Sequence, residues 1–146
     1  MGPTAEVSRF VAEVDGRKIP DEALRLARTA FVDVAATTLA GAAQPAGRIM
    51  TVYVRESGGS PEASVVAAGF KTAAARAALA NGAMAHALLY DHTTTVTAAH
   101  HSVALAPARL ALPERTGATG RAVLEAYVFG FETLDRGHVA INLNAY

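Results

Sequence analysis

Apolar residues recur at helical spacing in six stretches of this chain, separated by short runs of Gly, Pro, Ser and charged residues. Val7, Phe10, Val11 and Val14 stand at i, i+3, i+4 and i+7, one face of a short helix that GRKIP at 16–20 breaks. A second helix is predicted from Pro20 and Asp21, because proline in a first turn and an acidic residue both suit a helix N-terminus. Its stripe is Leu24, Ala27, Phe31, Val34, Ala35 and Thr38, and Gly41 is expected to end it. A third helix carries Ile49, Val52 and Tyr53 and stops in SGGSPE at 57–62. The run ASVVAAGF that follows is short and partly β-branched, which fits either a strand or an extended connector.

From Thr72 the helical spacing returns through Ala75, Ala78, Leu79, Gly82, Ala83, His86, Leu89 and Tyr90, a stripe whose small residues permit close packing. SVALAPARLAL reads as an apolar helix that Pro107 starts or bends. TGATG at 116–120 is a turn. The last long helix turns Leu124, Tyr127, Val128, Phe131 and Leu134 inward, with Glu132 and Arg136 spaced for a surface pair. No internal repeat or long linker divides these segments. Residues 1–146 are therefore expected to form an all-α, single-domain helical bundle, with at most a short strand near 62–68.

Composition narrows the function. Of the 146 residues 51% are hydrophobic and 18% charged, with zero net charge, which marks a folded globule without a basic face for nucleic acid. There is no cysteine, so disulfides, thiolate metal sites and cysteine nucleophiles are excluded. MGPTAEVSRF does not read as a signal peptide, and runs such as VVAAGF fall far short of the ~20 residues of a membrane span, so a cytoplasmic protein without a membrane partner is expected. So neutral and apolar a chain predicts a homodimer or higher oligomer, with the alanine stripe of 75–83 and the last helix as the interface.

Chemistry concentrates in NGAMAHALLYDHTTTVTAAHHSVALAP at 81–107, which holds four of the five histidines. His86 lies on an apolar stripe, where a hydrogen-bonded core histidine and a pocket residue are equally good readings. Asp91 and His92 are expected at a helix C-terminus, where His92 suits the dipole and Asp91 needs another reason to be there. Thr93, Thr94, Thr95 and Thr97 form a β-branched connector. His100 and His101 are adjacent, so at most one is expected to face a given pocket. His92, His100 or His101 with Asp91 fits no metal-ligand spacing, so no metal is expected, and acid–base use of a histidine is the commoner chemistry. A connector over 92–99 can fold back and set His100 beside Asp91.

These residues, in order, resemble the MmgE/PrpD family. The pattern is Asn81-Gly82, Ala85-His86, Leu88, Asp91, Thr93, His100 and Ser102, then Pro107, Gly117, Gly120, Ala126-Tyr127, Gly130, Glu132 and Arg136. Upstream, Ile19-Pro20, Leu39 to Gly41 and G-x-x-E-A-S-V before the next segment agree as well. The family includes 2-methylcitrate dehydratase, cis-aconitate decarboxylase and iminodisuccinate epimerase. The resemblance implies proton transfer beside a carboxylate of a small polycarboxylate, without metal or organic cofactor. It also implies an all-helical domain that dimerises, carrying a smaller lid. Thr93 and His100 match the family's active-site threonine and histidine.

Departures qualify that expectation. The family's acidic stretch usually reads D-x-D-D-T, with proline after the later histidine. Here Leu89 replaces the first aspartate, His92 the last, and His101 the proline. The family's later lysines and its lid are expected to be absent, the chain matching only the first part of the helical domain. Lys18 and Lys71 do not align with those lysines. The expected function is thus a cofactor-independent lyase or isomerase on a non-standard substrate, less carboxylated and biosynthetic. His100, His101, Asp91 and Thr93 are the expected catalytic residues, and His86, Tyr90 and His92 the expected substrate contacts. Two alternatives are a non-catalytic dimerisation module and one half of a split lyase whose partner chain brings the lid.

Overall fold

The structure, a computed structural model, describes residues 2–95 and 97–141. About 70% of the described residues are helical. Six α-helices run Pro3–Glu13 (α1), Asp21–Ala42 (α2), Pro45–Glu56 (α3), Ala74–His86 (α4), His101–Thr116 (α5) and Gly120–Ile141 (α6). The short apolar run at 62–72 is a two-stranded antiparallel hairpin, Ala63–Val65 (β1) with Phe70–Thr72 (β2), register Ala63 to Thr72. Its reversal uses left-handed backbone at Ala67 and Gly69, φ 58° and 71°.

α4 is the central post, packed against α2, α3, α5 and the hairpin. Its inward face is Ala74, Ala77, Ala80, Asn81, Met84 and Ala85. The stripe the periodicity picked is the other face, with Ala75 and Leu79 exposed. On α3 the correction is the same. Gly47 and Val54 are buried, whereas Ile49, Val52 and Tyr53 are each more than half exposed. The reason is distance between backbones. A Cβ at Gly41 would overlap the Met84 carbonyl of α4, and one at Gly47 would overlap the Gly41 carbonyl of α2. Helices this close are joined by small residues, and the larger apolar side chains are turned out.

α2 continues through Gly41 to Ala42, so this glycine does not end the helix. Its contact with α4 is what requires it. α4 stops at His86, earlier than the spacing predicts, so Asp91 and His92 lie beyond the helix rather than against its dipole. α5 contains Pro107 and Pro113 and ends on Gly117 at φ 72°, the left-handed cap the TGATG turn anticipates. Tyr127 of α6 is buried, but Leu134, read as inward, is 40% exposed.

Two polar latches hold the hairpin. Asn81 Oδ1 accepts from the Val66 N–H at 2.9 Å, and its Nδ2 donates to the Ser64 carbonyl at 3.0 Å. Glu114 of α5 accepts from the Ser64 N–H and hydroxyl and pairs with Lys71 at 3.1 Å. Burial raises the Glu114 pKa, but the Ser64 bonds and the Lys71 ammonium outweigh it, leaving the carboxyl below its ordinary 4.5. A carboxyl depressed on folding stabilises fully above its unfolded pKa, and that contribution is lost as pH falls through the folded value. Thermal melts should therefore show wild type more stable than Glu114→Gln at pH 7, the gap closing below about pH 4.5. A gap that widens on acidification would contradict the latch.

Candidate functional site

The connector over 87–100, between α4 and α5, sorts neighbouring polar residues to different sides. It reverses at Leu89 and Ala98, both non-glycine residues with left-handed φ (54° and 49°), a conformation that costs roughly 1–2 kcal/mol each. The Thr94 N–H donates to the Ala99 carbonyl at 3.0 Å and closes the loop. The polar contacts below hold this strained path in place.

The first group centres on Asp91, whose side chain is only 1% exposed. Its Oδ2 accepts from His100 Nδ1 at 2.6 Å, and Oδ1 accepts from His86 Nδ1 at 3.1 Å. His86 is the last residue of α4 and His100 the N-cap residue of α5, so two helix ends converge on one carboxylate. The imidazole rings stand 4.8 Å apart, edge to face. An ionised Asp91 accepts but cannot donate, so each ring, when neutral, carries its hydrogen on Nδ1 and keeps the lone pair on Nε2. That is a pair of bases on a common buried anchor. The three side chains have metal-ligand types and ligand atoms within 4.8 Å of one another, but both Nδ1 atoms already have Asp91 as partner.

The second group faces α2 and α6. His92 Nδ1 donates to Asp33 Oδ2 at 2.8 Å, and His92 Nε2 meets Ser102 Oγ at 2.7 Å. Ser102 is fully buried and lies 2.5 Å from the Tyr127 hydroxyl. Burial pushes the Tyr127 phenol above its ordinary 10. The Asp33 carboxylate adds to the rise, and the Ser102 hydrogen bond opposes it. Tyr127 therefore stays protonated at neutral pH, and Tyr127, Ser102, His92 and Asp33 form one hydrogen-bonded chain.

His101 belongs to a third group. Its Nε2 lies 3.2 Å from the Thr97 hydroxyl and 3.4 Å from Asp135, and its ring meets Phe131 edge-on at 5.3 Å. It is 7% exposed and turned away from Asp91.

Of the residues singled out from sequence, His86, Asp91 and His100 are brought together. His92 and His101 go elsewhere. Thr93 and Tyr90 are exposed and make no hydrogen bond among the described residues. Sequence reasoning missed Asp33 and Asp135, read Tyr127 only as core, and took Thr97 for connector. Asp33 did carry a signal, as the one charged residue in AFVDVAATTLAGA, an otherwise apolar and threonine-containing run at 30–42.

A family model described as the MmgE/PrpD N-terminal domain matches residues 5–146. No curated protein and no solved structure matches the chain.

Proposed function

Because this chain belongs to the MmgE/PrpD N-terminal domain family, we propose that it acts on a small molecule by histidine acid–base chemistry, as a lyase or isomerase without cofactor. The supporting observation is the buried Asp91 carboxylate holding Nδ1 of both His86 and His100. In this reading His100 Nε2 takes a proton from carbon beside a carbonyl, and the electron pair moves to the carbonyl oxygen. The protonated His100 Nε2 then returns that proton, to carbon in an isomerisation or to a departing β-hydroxyl in a dehydration, and His86 Nε2 stands beside it as the second base. Asp91 is the positioning residue, fixing both tautomers. His100 sits at the start of α5, whose dipole favours the developing negative charge.

The test is deuterium incorporation. Incubated in D2O with small hydroxy and unsaturated carboxylic acids and their monoesters, the chain should place deuterium on the carbon beside the carbonyl, read by NMR. Absence of incorporation from every member of that set would sink the reading.

A second reading, a helical module that works by assembling with other chains, draws support from exposed apolar side chains. Val32, Leu39, Ile49, Val52 and Tyr53 are all more than half exposed. No helix among the described residues is long and apolar enough to cross a membrane. On either reading the protein is a cytoplasmic homo-oligomer, with a second lid-bearing chain the further partner in a split enzyme. Sedimentation velocity should show a dimer or larger species at micromolar concentration, and a monomer at high micromolar concentration would contradict this.

A further inference from the structure

Between α2 and α6 lies a cavity of about 530 Å3 that the Asp91 site does not use. Its walls are mostly apolar, with Leu26, Ala27, Ala30 and Val128 among them, and its polar end presents Asp33, His92 and Tyr127. The volume is that of a small-molecule site. Among the described residues no Lys or Arg lines it, while two carboxylates do, Asp33 and Glu132. Glu132 is paired with Arg136, whereas the Asp33 side chain is bonded among the described residues to His92 alone. Both contacts to Asp33 fall on Oδ2, from the His92 N–H and from Nδ1, so Oδ1 accepts nothing among the described residues. The Tyr127 hydroxyl is already hydrogen-bonded to Ser102. The polar end is therefore rich in acceptors and negative. Beside it stand the rings of Tyr127 and Phe131, whose faces attract cations.

We propose that this cavity binds a small hydrophobic amine, its ammonium group on Asp33 Oδ1 and its hydrocarbon body between α2 and α6. An organic anion is disfavoured there, since its carboxylate would meet Asp33 and no Lys or Arg among the described residues lines the cavity. This assignment is independent of the acid–base reading of Asp91.

Calorimetric titration of the full chain with phenethylammonium, 2-phenylethanol and 3-phenylpropanoate tests it, because the three share a body and differ in head group. The ammonium should bind at least about tenfold more tightly than the other two. Asp33→Asn should remove that preference. Ala30→Trp, which fills the cavity from a partly exposed wall, should abolish binding while the helical circular dichroism is kept. It carries the test should Asp33→Asn fail to fold. The proposal is overturned if the carboxylate binds as well as the ammonium, if none of the three saturates, or if Ala30→Trp binds like wild type. Sedimentation showing that another copy of the chain occupies this face and excludes the ammonium would also overturn it.

Discussion

Replacing Asp91 by Asn is expected to lower the rate of proton transfer by about 10²–10⁴, the usual loss when acid–base catalysis is disabled. The carboxylate accepts from Nδ1 of two imidazoles at once, 2.6 Å from His100 and 3.1 Å from His86, and is 1% exposed. An amide of the same shape has one acceptor and one donor end. Wherever its NH2 faces a ring, that ring must move its hydrogen from Nδ1 to Nε2, and the lone pair that serves as base is gone. Unless that hydrogen moves, the buried amide leaves one contact unsatisfied, at a cost of about 1–3 kcal/mol. Rate and fold are therefore to be measured together. Unchanged helical circular dichroism with a collapsed rate supports the positioning role, and an unchanged rate removes it.

The second large effect is on stability. Gly41→Ala should destabilise the fold by at least the roughly 1–3 kcal/mol typical of overpacking, because the new methyl meets backbone rather than a movable side chain. Only separation of α2 from α4 relieves the overlap with the Met84 carbonyl, and Met84 precedes His86 by half a turn. The substitution should thus disturb the site as well as the core. Gly120→Ala is the matched control, since nothing lies within 4 Å of a Cβ there. Urea midpoints should fall steeply for the first and little for the second; equal midpoints would refute the close approach.

The helices were legible because their apolar spacing is strongly periodic, and the faces of α3 and α4 were not, for a physical reason. Weighting positions by side-chain size selects Ile49, Val52, Tyr53 and Leu79. The interior is built instead from Gly41, Gly47, Ala77 and Ala80, where backbones come close. The pairing of Asp91 with His100 could be anticipated because a connector of only eight residues, 92–99, joins them. His92 with Asp33 could not, since 59 residues separate them and only the packing of α2 brings them together. His101 likewise meets its partner Asp135 only through the packing of α6. Both turn away from Asp91, toward Asp33 and Asp135.

The most direct test of the central claim compares His100→Ala with His101→Gln in the D2O exchange assay. His100→Ala should lose about 10²–10⁴ in rate with its fold intact. His101→Gln, which touches only the Thr97 and Asp135 group, should keep most of the wild-type rate. An active His100→Ala beside an inactive His101→Gln would move the chemistry to the α6 side, and two fully active variants would make the whole connector structural.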